Sequence, residues 1–284
     1  MKDIKNILSL ITSVFAIISS SIGIFYSNGG KSFFVKNIYG EQIELYGDGI
    51  YAYNSILKVG ATKGTDIVVL AISIMVILLI IFENRIKWAK IVKAGLVCIL
   101  LYASICLIMG VSFNRLFPIY LIYFSSTLFS TIFNIIDVIK SECFKEEIYL
   151  KHLKGSSIFL IIGGCSVLVW LMFIIPTVFS GTPMEIIEIY TTEPTFVLDL
   201  GIIFPTAVTV GILLWKKNKT AYKLASILFT ALTCVGLCVI FQTIVQIYLG
   251  IILPIGQLLG LVISFIILGG IALILNIKLL KYII

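Results

Sequence analysis

One acid lies inside a run otherwise apolar enough to enter a bilayer. It is Asp199, within Glu193-Pro194-Thr195-Phe196-Val197-Leu198-Asp199-Leu200-Gly201-Ile202-Ile203-Phe204-Pro205. An ionisable group in such a place is expensive and is a functional-site candidate by default. It can serve as an acid or base, or as half of an ion pair. Asp66 is a second acid at the head of an apolar run, and Arg115 is a cation just before another. If the even-numbered spans enter from one side, Asp66, Asn114, Arg115, Glu193 and Asp199 gather at one level. The positive end of a helix dipole accounts for Asp66 and Glu193, but it fades within the first turn and disfavours a cation. Arg115 is therefore expected to have an acidic partner, Asp199 first and Asp66 second. Tyr51 or Tyr120 nearby would complete a polar pocket beneath the outer loop.

The elements that must position these groups are membrane-spanning helices. Pro194 suits a first helical turn, with Glu193 or Thr192 as the cap. The apolar run then continues to Trp215 and stops at Lys216-Lys217-Asn218-Lys219. That is 22 residues, roughly 33 Å of helix, enough to cross a bilayer core. Asp199 lies about 7.5 Å below the helix start. Pro205 removes one backbone bond, so a kink is expected near Gly201.

Composition agrees. The chain is 60% hydrophobic and 12% charged, with mean hydropathy +1.14, whereas a soluble domain carries about 25% charged residues. This is an all-α, polytopic membrane bundle. The net charge of +7 is no nucleic-acid footprint, because the cations sit between apolar runs, as membrane topology requires. The pattern predicts eight spans over 7–26, 66–82, 91–111, 116–139, 157–175, 194–215, 221–247 and 251–277. Pro176 is expected to stop the fifth. The polar stretch 27–65 reads as a small outer loop with two strand-like runs around Tyr39-Gly40-Glu41 and a short surface helix over 50–59. With the amino terminus inside, sixteen lysines and arginines fall on the cytoplasmic side and five outside, which places both termini in the cytoplasm.

Several chemistries find no support. There is no phosphate-binding G-x-x-x-x-G-K-[ST], no H-E-x-x-H and no G-x-S-x-G elbow, and the single histidine, His152, lies in a basic loop. No metal or cofactor site is expected. The six cysteines avoid the long outer loops, so no disulfide framework is implied. Cys234 and Cys238 read as small core residues. Gly256-x-x-x-Gly260 with Ser264 reads as an internal packing seam. Gln242 and Gln246 are expected to bond across helices, and Asn134 and Asp137 to form a solvated helix end.

The residues facing the outer side resemble a widespread, uncharacterised bacterial multi-pass membrane family. The resemblance rests on Gly47-x-Gly49-x-Tyr51, Ser55, Gly64-Thr65-Asp66, Asn114-x-x-Phe117 with Tyr120 and Tyr123, and Leu198-Asp199-Leu200-Gly201. Asn54 stands where the family usually has an aspartate. The resemblance implies topology and a bacterial cytoplasmic membrane, and supplies no reaction.

The function expected is that of a transporter-like or accessory membrane protein with a polar site at the outer face, taking a small molecule or a lipid. An intramembrane enzyme acting on lipid or lipid-linked substrate, through Asp199 or Asp66, is one alternative. A structural subunit partnering another membrane protein is another.

Overall fold

A computed structural model describes residues 2–284. It is all-α apart from one β-hairpin, and eight of its helical stretches are long and apolar enough to cross a membrane. That is the build of a multi-pass membrane protein. The spans are Lys2–Phe25, Ile56–Ile81, Ala89–Gly110, Phe117–Lys140, Lys154–Ser180, Pro194–Trp215, Lys219–Tyr248 and Leu258–Leu280. The hairpin pairs β1 (Phe33–Lys36) with β2 (Gln42–Leu45), with Phe33 opposite Leu45. The side of the bundle carrying it is the hairpin face. The opposite side holds both chain ends: Lys5 meets Asp137, and Ile283 bridges Phe144. It is the terminal face.

The first span packs between the second and fourth, the seventh against the second, third and eighth, and the fifth against the sixth. Glycines set the closest crossings. A Cβ on Gly64 would lie 2.4 Å from Gln242 Cα, and one on Gly236 would lie 3.1 Å from Gly269 Cα. Backbones can approach this closely only where no side chain intervenes. The expected seam at Gly256 and Gly260 is not such a crossing, since a Cβ there would meet nothing within 4 Å.

Four boundaries differ by five residues or more from the sequence reading: the start of the first span (Lys2, not 7), of the second, of the eighth (Leu258, not 251), and the end of the fifth. The second span begins at Ile56, where the Ser55 hydroxyl caps the Lys58 N–H at 3.2 Å. The expected surface helix over 50–59 is instead a short 3-10 turn, Gly49–Tyr51, followed by this start. Lys58, Gly60, Lys63 and Gly64 gave the segment the look of a loop, yet its glycines serve the crossing with the seventh span. The fifth span runs through Pro176 and ends at Ser180, closed by Gly181 at φ +70°, a left-handed stop that glycine supplies without strain.

Three spans contain non-α turns. The fifth tightens to a 3-10 turn over Val167–Trp170, and the sixth and eighth widen to π turns over Asp199–Ile203 and Leu258–Ile263. The widening in the sixth immediately precedes Pro205, which cannot donate to Gly201. Gly201 and Pro205 lie on the exposed side of the span. π turns recur at functional sites, and two of these three irregular turns meet at Asp199.

Candidate functional site

Asp66 lies ten residues into the second span, about 15 Å from its start, and is only 4% exposed. Its carboxylate accepts one hydrogen bond, from the Tyr51 hydroxyl at 2.8 Å. Burial, with Asp66 beside it, pushes the Tyr51 phenol well above its usual range, so it remains a donor. The first span makes room through Gly23, where a Cβ would stand 2.2 Å from Asp66 Oδ2.

Asp199 opens the widened turn of the sixth span. Its Oδ2 accepts from the Trp170 indole N–H at 2.7 Å and its Oδ1 from the Tyr102 hydroxyl at 3.0 Å. Phe196, one helical turn before Asp199, stacks on Trp170 with ring centroids 5.0 Å apart. Neutral donors thus hold the acid from the third and fifth spans.

The two acids line one cavity of about 300 Å³, with largely apolar walls. This is near the lower end of the range for small-molecule sites. Glu193, Lys58, Glu188, Gln242, Gln246 and Ser19 are among its other polar groups. Gln242 also bonds Thr65 at 2.8 Å, as a cross-helix amide should.

The segment before the sixth span covers the cavity at the hairpin face. Glu193 caps its own helix and pairs with Lys58 at 2.8 Å, and the Lys58 ammonium lies 5.2 Å from the centre of the Tyr190 ring. Glu188 accepts from the Ser55 hydroxyl and, at its carbonyl, from Asn37 at 3.0 Å. Burial pushes the Glu188 carboxyl up, against the pull of Ser55 and Lys58. Its backbone is left-handed at φ +49°, a strained conformation for a residue with a side chain. Asn54 ties three connections together. Its Oδ1 accepts from Ser112 N at 2.8 Å and the Tyr190 hydroxyl at 3.2 Å, while its amide donates to Tyr51 O at 3.3 Å. An aspartate could not make that last bond.

The structure therefore brings Asp66, Asp199 and Glu193 to one cavity, with Tyr51 behind Asp66 and Tyr120 buried beside Tyr51. It does not bring Arg115. That side chain is exposed, and among the described residues it forms no ion pair. Asn114 Oδ1 accepts from Leu116 N at 2.9 Å and turns the chain so that Leu116, not Arg115, points inward. Arg115 is exposed to solvent at the helix start, where water and salt screen the dipole, so it needs no acidic partner. The expected Arg115–Asp199 pair is absent, and Asn114 is a turn residue.

A second polar cluster, at the terminal face, was not anticipated. Lys93 is fully buried and bonds Glu83 at 2.7 Å and Asn6 at 2.5 Å. Lys5 is 2% exposed and joins Glu83 at 2.9 Å to Asp137. Burial alone would raise the Glu83 carboxyl, but hydrogen bonds and charge from Lys93 and Lys5 hold it at about 2. Asp137 is thus an ion-pair partner rather than a solvated helix end, and Asn134 is buried. The signal available in sequence was the periodic placement of Lys5 with Ser9 and Thr12.

No protein-family model matches the chain, and no curated protein or solved structure matches it either.

Proposed function

We propose that this chain is a transporter-like membrane protein whose hairpin-face cavity binds an amphipathic organic cation. One observation carries the reading. Asp66 and Asp199 line the same cavity, and among the described residues no lysine or arginine forms an ion pair with either, Lys63 acting on Asp66 only from beyond contact. Among the described residues the one lysine in the wall, Lys58, is matched by Glu193. Charges inside a membrane are normally paired or face a pathway. A ligand bearing positive charge on an apolar, aromatic body answers both the carboxylates and the walls. Trp170, Phe196, Tyr102 and Tyr190 add ring faces that attract cations.

The excess of lysine and arginine on the terminal face supports cytoplasmic termini and a cavity open to the outside. The family resemblance supports a bacterial cytoplasmic membrane. In a cysteine-free background, Ile38→Cys should react with an impermeant maleimide from outside and Lys145→Cys only after permeabilisation. The reverse would move the cavity to the cytoplasmic side.

Trp170 reports on binding. With Trp88→Phe and Trp215→Phe it is the sole indole, and benzyltrimethylammonium should change its fluorescence saturably. No change at any concentration would refute the cation site.

A further inference from the structure

We infer that the cavity opens sideways to the bilayer between the sixth and seventh spans, and that its ligand is a long-chain ammonium amphiphile whose tail passes Val262 and Phe265 into lipid. The head rests on the cation reading above; the opening rests on how the spans pack. The second span packs on the third and the seventh, and the third on the start of the sixth. The sixth and seventh pack together along Phe204–Trp215. Nearer the hairpin face, Phe196 and Asp199 of the sixth and Cys238 and Gln242 of the seventh line the cavity instead. On that side the eighth span supplies Val262 and Phe265 to the wall.

The eighth span makes a thin screen there. It packs chiefly on the seventh, with its close crossing at Gly269 against Gly236. Toward the hairpin face it loosens. Leu258–Ile263 is the widened π turn, and among the described residues a Cβ on Gly256 or Gly260 would meet nothing within 4 Å. Leu259, Ile263 and Ile267 are exposed, while Val262 and Phe265 reach the cavity. The side chains of one helix thus separate the cavity from lipid. Turns of this kind recur at functional sites. The π turn of the sixth span serves Asp199, and the π turn of the eighth borders the opening.

Depth and chemistry select the ligand. Asp199 and Asp66 lie about 7.5 Å and 15 Å along their spans, within the apolar slab. The segment covering the cavity at the hairpin face is held by polar bonds. Glu188 bonds Ser55 and Asn37, Tyr190 accepts from Ser55 N at 3.1 Å, and Lys58 pairs with Glu193 at 2.8 Å. Passage to that face breaks those bonds. Passage past Val262 and Phe265 moves apolar side chains against lipid and strands no polar group. A cavity of about 300 Å³ is near the lower end for small-molecule sites. It suits an ammonium head beside the two acids and leaves a long tail to continue past the screen, where lipid already solvates it.

The test follows Trp170 fluorescence by stopped flow, in full-length protein carrying Trp88→Phe and Trp215→Phe in vesicles. Decyltrimethylammonium should change the signal at a rate set by the screen. Val262→Phe should slow that change several-fold, and Phe265→Ala should quicken it several-fold. Ile267→Phe, on the exposed side of the same span, should leave it unchanged. So should Asn37→Ala, which frees the Glu188 carbonyl of the covering segment. Wild-type rates in both screen variants, or faster entry in Asn37→Ala alone, would overturn the lateral opening. An all-carbon isostere, a decyl chain ending in a tert-butyl group, separates the two proposals. Screen-dependent rates with equal affinity for both probes keep the opening and sink the cation site. A preference for the cation with rates indifferent to the screen does the opposite.

Discussion

The Trp170 indole N–H lies 2.7 Å from Asp199 Oδ2, joining the last residue of the tightened turn in the fifth span to the first residue of the widened turn in the sixth. Two departures from α geometry thus secure one carboxylate. Trp170→Phe keeps most of the ring packing on Phe196 but removes the donor. Hydrogen bonds to charged groups contribute about 1.5–3 kcal/mol, so thermal unfolding in detergent should show a loss of that order. Asp199→Ala should absorb most of it in a double-mutant cycle, because the two act through one bond.

Gly23→Ala should destabilise the protein, since the added carbon would stand 2.2 Å from Asp66 Oδ2 and 2.6 Å from the Tyr51 hydroxyl. Overpacking of this kind costs about 1–3 kcal/mol. Asp66→Ala in the same chain should relieve part of the cost. Simple additivity in thermal unfolding would show that Gly23 is not shaped to the carboxylate.

The terminal-face cluster should fail in acid. Glu83 is held at about 2, below its ordinary 4.5, so the folded state favours its ionised form. The stability this supplies is fully present above pH 4.5 and is lost as the pH falls through about 2. Glu83→Gln should flatten that acid limb in pH-dependent unfolding. It should also destabilise at neutral pH by about 3–5 kcal/mol, because two buried ammonium groups lose a partner.

Lys58 is the one cation in the cavity wall among the described residues, and it neutralises Glu193. Lys58→Met should therefore tighten binding of a quaternary ammonium several-fold in a Trp170 fluorescence titration. Unchanged or weaker binding would show that the Lys58 charge does not oppose a cation in this cavity.

The sixth span was fully legible, because Pro194 and the lysines after Trp215 bracket an unbroken apolar run. Asp199 stood out there as an intramembrane acid. Asp66 was recognised but placed at a helix start, since lysine and glycine before it mimic a loop while serving an ion pair and a close crossing. The partners of Asp199 were hidden for a different reason. Tryptophan and tyrosine are ordinary in a membrane helix, and nothing local says which carboxylate they will meet. Arg115 misled because its charge demanded a partner only if it were buried, and the turn at Asn114 leaves it in solvent. The serine and threonine stripes of the first and fourth spans vanish in an average over hydropathy. Reading those spans at three-and-four spacing would have recovered them.

The most direct measurement compares benzyltrimethylammonium with neopentylbenzene, which replaces the charged nitrogen by carbon at nearly the same shape. Both are titrated against Trp170 fluorescence in wild type, Asp66→Asn and Asp199→Asn. The cation should bind the wild type at least about tenfold more tightly, a difference of about 1.4 kcal/mol, and each asparagine variant should lose most of that preference while binding the neutral compound as before. Equal affinity of the wild type for the two compounds, or an undiminished preference in both variants, would contradict a cation site built on Asp66 and Asp199.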